Sequence, residues 1–252
     1  IAEKFKGNKI AVYSNYAKKL FIETKFVNKK KIEVIGCSRL SKSFSFRKII
    51  PKKQILYYAV EPKRGLPDPF VDHYGDKFFK DLKEHSYYNS KFNWNFLNTK
   101  ILKILIKFAI KNPDIKIIIK IKTGQLLNIK NLKLPSNIEF KYFGVGHKLL
   151  REAKVVIAWN TTAILEGIAA NRFILLPYFQ AKNNNYRKKS ELKLKLRNEN
   201  YGLSENDFLK KLNFFMKKKY SKNKINNDQY SLKYHLNNSD NKASFRLNKF
   251  FN

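Results

Sequence analysis

The chain has 252 residues, 43% of them apolar, with 21 Phe and 14 Tyr, enough to build a real core and so to exclude a disordered basic tail. Its 53 Lys and Arg against 19 Asp and Glu give a formal net charge of +34. Only eight of the basic residues are Arg, the side chain suited to bidentate base and phosphate recognition, so the charge points to an anionic membrane surface ahead of nucleic acid.

Lys9 to Ser14 reads as a short strand, Asn15 to Thr24 as a helix with a polar cap, and Ile32 to Gly36 as another strand, together the tail end of a Rossmann-like half. Cys37 to Lys53 breaks the periodicity with Ser38, Ser41, Ser43, Ser45 and Pro51 and is expected to be a linker. Cys37 is the single cysteine, which excludes a disulfide framework and a cysteine-based zinc site. Ile55 to Val60 restarts as a buried strand. Glu61 to about Asn95, carrying Pro62, Gly65, Pro67, Pro69 and Gly75, reads as a long loop of the kind that is usually functional or mobile.

From Leu97 to Lys111, the residues Leu97, Ile101, Leu105 and Phe108 recur at helical spacing until Asn112 and Pro113 stop the helix. Ile115 to Ile121 and Ile138 to Phe143 are expected strands, and His147 to Ala153 a short helix. Lys103, Lys107 and Lys116 interrupt the most apolar of these stretches, which fall short of a bilayer span. After Arg172 to Pro177 comes a polar segment, in which Asn183 to Asn185 and Lys188 to Lys195 read as solvated. Two helices close the chain, about Ser204 to Lys218 and Lys242 to Phe251. It begins at Ile1 with neither Met nor a signal-like segment, and truncation of a longer protein is the expectation.

The most informative stretch is KVVIAWNTTAILEGIAANRFILLP, Lys154 to Pro177. Val155 to Trp159 is too short for a helix and rich in β-branched and aromatic residues, hence a buried parallel strand. Asn160, Thr161 and Thr162 interrupt it with side chains that can satisfy the free N–H groups of a first helical turn. The short helix of about Ala163 to Ala170 places Ile164, Leu165 and Ile168 at core spacing, Asn171 closes it, and Arg172 to Pro177 returns as a strand beside the first. The turn thus sits at a strand's carboxyl end, where open α/β sheets bind ligands and a helix N-terminus favours phosphate. An ordinary α/β connection without a ligand is the alternative reading of the same residues.

Four segments, in order, carry a family resemblance: IAVYSNYAKKLFIE, KIEVIGCSRL, LPSNIEFKYFGVGHKLLREAKVVIAWNTTAILEGIAANRFILLP and NNSDNKASFR. They resemble the carboxyl-terminal part of bacterial GT-B fold glycosyltransferases of surface carbohydrate, including capsule and Kdo transferases and the related CDP-glycerol glycerophosphotransferases. The resemblance implies an α/β chain: a GT-B-like Rossmann-type parallel sheet with flanking helices, preceded by the end of a first Rossmann-like domain. It divides the chain into residues 1–40, ending the acceptor-side domain, a linker at 41–54, a donor-nucleotide domain at 55–235, and a C-terminal helix at 236–252 packing back on the first domain.

The same resemblance implies roles for individual residues. Asn160, Thr161 and Thr162 would meet the donor's phosphates, and Glu166 the ribose hydroxyls, although a Glu early in a helix also complements the helix dipole. Lys120 and Lys122, two apart at a strand end, share a face and would reach the donor phosphates together or not at all. A solvated strand end is the alternative. The segment IKIKTG lacks the Pro-His-Pro frequent in the glycerophosphotransferase branch, which favours sugar transfer. Arg39 would lie near the interdomain cleft, and His147, after Gly144 and Gly146, would line the base pocket or be an ordinary loop histidine.

No D-x-D triplet is present, since Asp68, Asp72, Asp76 and Asp81 are too widely spaced, so donor binding is expected to need no metal and no other cofactor. The catalytic base is left unassigned, with Asp72, His73 and Glu84 as titratable residues of the long loop. The function implied is transfer of a sugar from a nucleotide-activated donor to a growing cell-surface polysaccharide or lipid-linked acceptor, in the cytoplasm or at the inner face of its membrane. Glycerophosphate transfer from a CDP-alcohol is the alternative enzyme, and a basic nucleic-acid-binding protein the alternative from another class.

Overall fold

The computed structural model describes residues 5–59, 94–121, 133–143, 146–159, 161–179, 194, 196–221, 229–236 and 240–251. The long loop expected at Glu61 to Asn95 falls almost wholly outside these residues, as do the polar runs at 183–185 and most of 188–195.

A small parallel pair opens the chain: β1 (Ile10–Val12), α1 (Asn15–Glu23) and β2 (Ile32–Val34), with Ile10 opposite Ile32 and Val12 opposite Val34. Its core is Val12, Val27 and Ile32, with Phe21, Ile22 and Phe26 packed partly buried against them. Gly36 then turns the chain with φ 84°, a left-handed conformation that a residue with a Cβ adopts at a cost.

Residues 37–53, expected to be irregular, are helical over most of their length. A 3-10 turn at Ser38–Leu40 runs into α2 (Ser41–Ser45) and a second 3-10 turn at Phe46–Lys48. Leu40 and Phe44 stand four apart on one side of this run and are buried at 3% and 7% exposure, a helical stripe that the flanking serines hid.

The larger unit is a six-stranded, wholly parallel sheet in the order β5-β4-β3-β6-β7-β8. Its strands are β3 (Gln54–Ala59), β4 (Lys116–Ile121), β5 (Ile138–Lys141), β6 (Val155–Ala158), β7 (Phe173–Pro177) and β8 (Tyr201–Gly202). Every residue of β3, β6 and β7 is buried, because helices cover both faces, and this is why the strands read as apolar runs without alternation.

On one face Ile55, Tyr57, Ile117, Ile119, Val155 and Ile157 pack against α3 (Trp94–Lys111) and α6 (Glu205–Lys217). On the other, Leu56, Tyr58, Ile118, Val156 and Ala158 meet α2, α4 (Gly146–Leu150), α5 (Ala163–Ala169) and α7 (Gln229–Leu236). Gly167 lets α5 approach closely, since a Cβ there would lie 2.7 Å from Ile174 Cδ1 and 3.4 Å from Val156 Cγ1. Asn171, at φ 58°, ends α5 in the left-handed conformation expected of a helix-closing Asn.

α8 (Ala243–Phe251) closes the chain and returns toward the small unit, with Arg246 Nε donating to the Ile35 carbonyl at 2.8 Å and Ser244 Oγ 3.1 Å from Ser41 Oγ. The sequence reading held two helices after the polar segment, and the described residues there form three. α7 escaped because its apolar residues lie on opposite sides, Tyr230 and Tyr234 on one and Leu232 and Leu236 on the other, which flattens the periodic signal. Among the described residues no helix is long and apolar enough to cross a membrane.

Candidate functional site at the sheet's switch point

The chain fills the large sheet outward from the centre. From β3 it moves to β4 and β5 on one side, then returns to place β6 on the other side of β3 and continues to β7 and β8. The two crossovers flanking β3 and β6 leave in opposite directions, and in open parallel sheets that reversal opens a crevice outside the strands' carboxyl ends. Tyr58 stands opposite Ala158 near the carboxyl ends of these strands, and the turn after β6 leads directly into α5.

Asn160, the first residue expected in this turn, lies outside the described residues. Thr161 is half-buried and Thr162 exposed. Their carbonyls start the helix, Thr161 O accepting from the Ile164 amide at 3.1 Å and Thr162 O from those of Leu165 and Glu166 at 3.0 and 3.3 Å. The hydroxyls do less than the sequence predicts. Thr162 occupies the N-cap position in a helical conformation (φ −60°, ψ −16°) without a side-chain capping bond, and Thr161 Oγ1 accepts from the Ala163 amide at a long 3.4 Å. With only seven residues in α5, its dipole is a weak source of positive charge, so an anion held here needs cations from elsewhere.

Those cations come from neighbouring elements. Glu166, on the first turn of α5, is buried and accepts a hydrogen bond from Arg39 NH2 on the 3-10 turn of residues 38–40. The pair is lopsided: the Glu166 side chain is 6% exposed and that of Arg39 72%. The carboxylate therefore depends on Arg39 for its charge partner, while the guanidinium retains open donors toward solvent.

His147, at the start of α4, joins the same electrostatic group. Burial is the main cause that lowers its pKa below the ordinary histidine value, with the positive charges of Lys42, Lys148 and Arg39 acting the same way and Glu166 opposing them. The Tyr58 hydroxyl donates to the Gly146 carbonyl at 3.1 Å and thereby ties α4 to β3. Its pKa is raised, first by burial and then by the Glu166 charge, so the phenol remains a neutral donor.

Of the residues expected at a site, the structure thus brings Arg39, His147 and Glu166 together beside Thr161 and Thr162. Lys120 stands opposite Tyr58 in the strand register, and its ammonium is already occupied: it donates to the carbonyls of Ile121 at 2.8 Å and Tyr142 at 3.0 Å, closing the carboxyl ends of β4 and β5, and burial lowers its pKa. Lys122, Asp72, His73 and Glu84 lie outside the described residues.

Two members were missed from the sequence. Lys42 sat in a segment read as a linker, and Tyr58 looked like one more apolar residue of a buried strand. Its signal was a polar-tipped aromatic one residue before the strand's end, where a hydroxyl needs a partner.

No protein-family profile and no curated protein sequence matches the chain. Among solved structures, UDP-GlcNAc 2-epimerase of Methanocaldococcus jannaschii aligns with a TM-score of 0.51 at 10% identity, over 97% of this chain and 62% of that one. The same enzyme in complex with UDP-GlcNAc and UDP gives a TM-score of 0.50 at 10% identity, over 98% of this chain and 62% of that one. The wall teichoic acid polymerase TagF gives a TM-score of 0.50 at 11% identity, over 96% of this chain and 57% of that one.

At these identities the likeness is one of fold, and the fold is the α/β, GT-B-like Rossmann-type parallel sheet with flanking helices. Its neighbours of known structure are GT-B enzymes. The chain spans about three fifths of the length of those neighbours.

Proposed function

We propose that this chain is the donor-binding part of a GT-B-type transferase that moves a sugar from a nucleotide-activated donor to a growing cell-surface polysaccharide or lipid-linked acceptor. The observation that carries the reading is the coincidence of the switch point between β3 and β6 with the cations Arg39 and Lys42, the neutral imidazole of His147 and the exposed Thr162. The donor's phosphates sit against the Thr161–Thr162 turn, and Arg39, fixed by the buried Glu166 carboxylate, directs its open N–H groups at them. Charge developing on the leaving phosphate is then met by preorganised donors, without a metal ion or other cofactor. The epimerase neighbour, in complex with UDP-GlcNAc and UDP, supports a nucleoside diphosphate as the common ligand of this fold.

In this reading Glu166 acts through Arg39, as a positioning residue. Lys120 holds the strand ends. Capsule or Kdo-type sugars are the proposed cargo, and a basic surface of net charge +34 suits work beside an anionic membrane on its cytoplasmic side.

The test is a thermal-shift panel of UDP-, GDP-, CMP- and CDP-linked donors without added metal, on this chain and on Thr161→Ala with Thr162→Ala, and Arg39→Ala. Stabilisation by one nucleotide-sugar class that both variants lose supports the reading. Stabilisation by CDP-glycerol alone replaces sugar by glycerophosphate transfer. A folded chain that no donor stabilises, and that binds nucleic acid with a steep loss of affinity in salt, overturns both enzymes.

A further inference from the structure

Away from the switch point, α1 and α7 form a groove of about 710 Å³, within the range of about 300–1,000 Å³ typical of ligand clefts. Three tyrosines line it as a ladder. Tyr234 stacks on Tyr16 of the facing helix at 5.3 Å between ring centroids and 28° between planes, and on Tyr230, one turn earlier, at 5.8 Å and 17°. The ladder's ends face solvent, Tyr16 being 44% and Tyr230 43% exposed. α7 keeps its other face in the core through Leu232 and Leu236, so the ladder rests on a fixed support.

Such a row of rings on an open wall is more aromatic surface than packing requires, since α1 buries no residue of its own. Asn15, Lys19, Leu20, Glu23 and Lys233 also line it, with Lys19 Nζ 3.5 Å from Glu23. We infer that this groove binds a segment of carbohydrate chain carrying sparse negative charge, at a site separate from the donor crevice. The apolar faces of sugar rings lie against the outer faces of the tyrosine ladder, Lys233 meets an acidic group of the chain, and Glu23 accepts from ring hydroxyls.

The charge selects this ligand. Among the described residues, two lysines and one glutamate leave the groove a single net positive charge, too little for a nucleic-acid strand with one phosphate per nucleotide, which such sites normally track with a continuous cationic wall. A carboxylate would also repel successive phosphates, whereas it is an asset toward hydroxyls. The inference stands apart from the donor reading, because none of these residues belongs to the switch-point cluster.

The experiment is calorimetric titration of the full chain with a hyaluronan hexasaccharide, which carries a carboxylate on every second sugar, with neutral chitohexaose, and with a short oligothymidylate. The charged hexasaccharide is expected to bind saturably and more tightly than the neutral one. Tyr16→Ala with Tyr234→Ala should weaken it about tenfold or more, while Tyr234→Phe retains binding and both variants retain any donor-induced thermal shift. Should the double variant fail to fold, Lys233→Glu serves instead, and is expected to abolish the preference for the charged chain. Four results overturn the inference: no saturable binding of either sugar, unchanged affinity in both the tyrosine and lysine variants, tighter oligothymidylate binding that the tyrosine variants lose, or a dimer that the tyrosine variants dissociate.

Discussion

Two of the β-α-β units, β1-α1-β2 and β6-α5-β7, treat the helix start in opposite ways. In the first, Ser14 is buried and its Oγ accepts from the Ala17 amide at 3.1 Å, so the cap hydroxyl is consumed by its own helix. In the second, Thr162 is exposed and makes no capping bond. Burial runs the other way: α1 buries none of its residues and α5 buries all of them. A helix anchored by packing can leave its first turn open for a ligand, whereas one with little packing must secure its own end.

The strongest way to break this contrast is to loosen the unit that packing holds. Arg172, fully buried at the start of β7, donates to the carbonyls of Phe46, Ile49, Leu150 and Arg151 and to the Tyr220 hydroxyl, at 3.0 to 3.2 Å. It thus ties the segment of short helices and the end of α4 to the sheet. Arg172→Ala leaves those carbonyls without this donor and is expected to cost at least about 3 kcal/mol, read from the shift of the urea midpoint. A loss below about 1 kcal/mol would mean that the segment is held by its apolar contacts alone.

The caps sharpen the comparison at smaller scale. Ser14→Ala should destabilise α1 by about 1 kcal/mol, visible as faster hydrogen exchange of its amides, while Thr162→Ala should cost less than about 0.5 kcal/mol. Equal costs would remove the distinction between a structural cap and an open one.

Acid tests the attachment of α8 to the smaller unit. The paired hydrogen bonds from Arg246 hold the Asp240 carboxyl down at about 2. A group whose pKa is lowered on folding contributes stability above its ordinary value, near 3.8, and that stability disappears as the pH falls toward about 2. Hydrogen exchange in α8 is expected to accelerate over that interval, and Asp240→Asn should abolish the pH dependence.

The smallest effect is at His147. Its lowered pKa means that the neutral imidazole is the form the fold favours, so its contribution holds above about 6.5 and is lost as the pH drops through the folded value. In an NMR titration His147 should titrate below 6.5 in the free chain, and a bound nucleotide diphosphate should raise that value. No change on adding the ligand would separate His147 from the site.

Much of this was legible before any coordinates. The strands of the large sheet announced themselves as β-branched runs between Gly, Pro and Asn, because burial on both faces leaves no room for polar residues. The turn after β6 stood out because polar residues interrupt an apolar run at one place. Thr161 and Thr162 were singled out by residue type and position, and Glu166, Arg39 and His147 by the family resemblance.

What tertiary structure alone decided was which of them meet and what each side chain is already bonded to. Arg39 and Glu166 are 127 positions apart, and no periodicity links them. Lys120 carried the right charge at a strand end, and its ammonium is occupied by two backbone carbonyls. α7 lay in a polar stretch with a weak periodic signal, and it forms both a wall of the core and the tyrosine ladder. The sequence by itself determined the class of fold, since hydrophobic pattern and turn chemistry act between near neighbours. Strand order, the switch point and the partners of the charged groups depend on contacts between distant segments, and these exist only once the sheet has assembled.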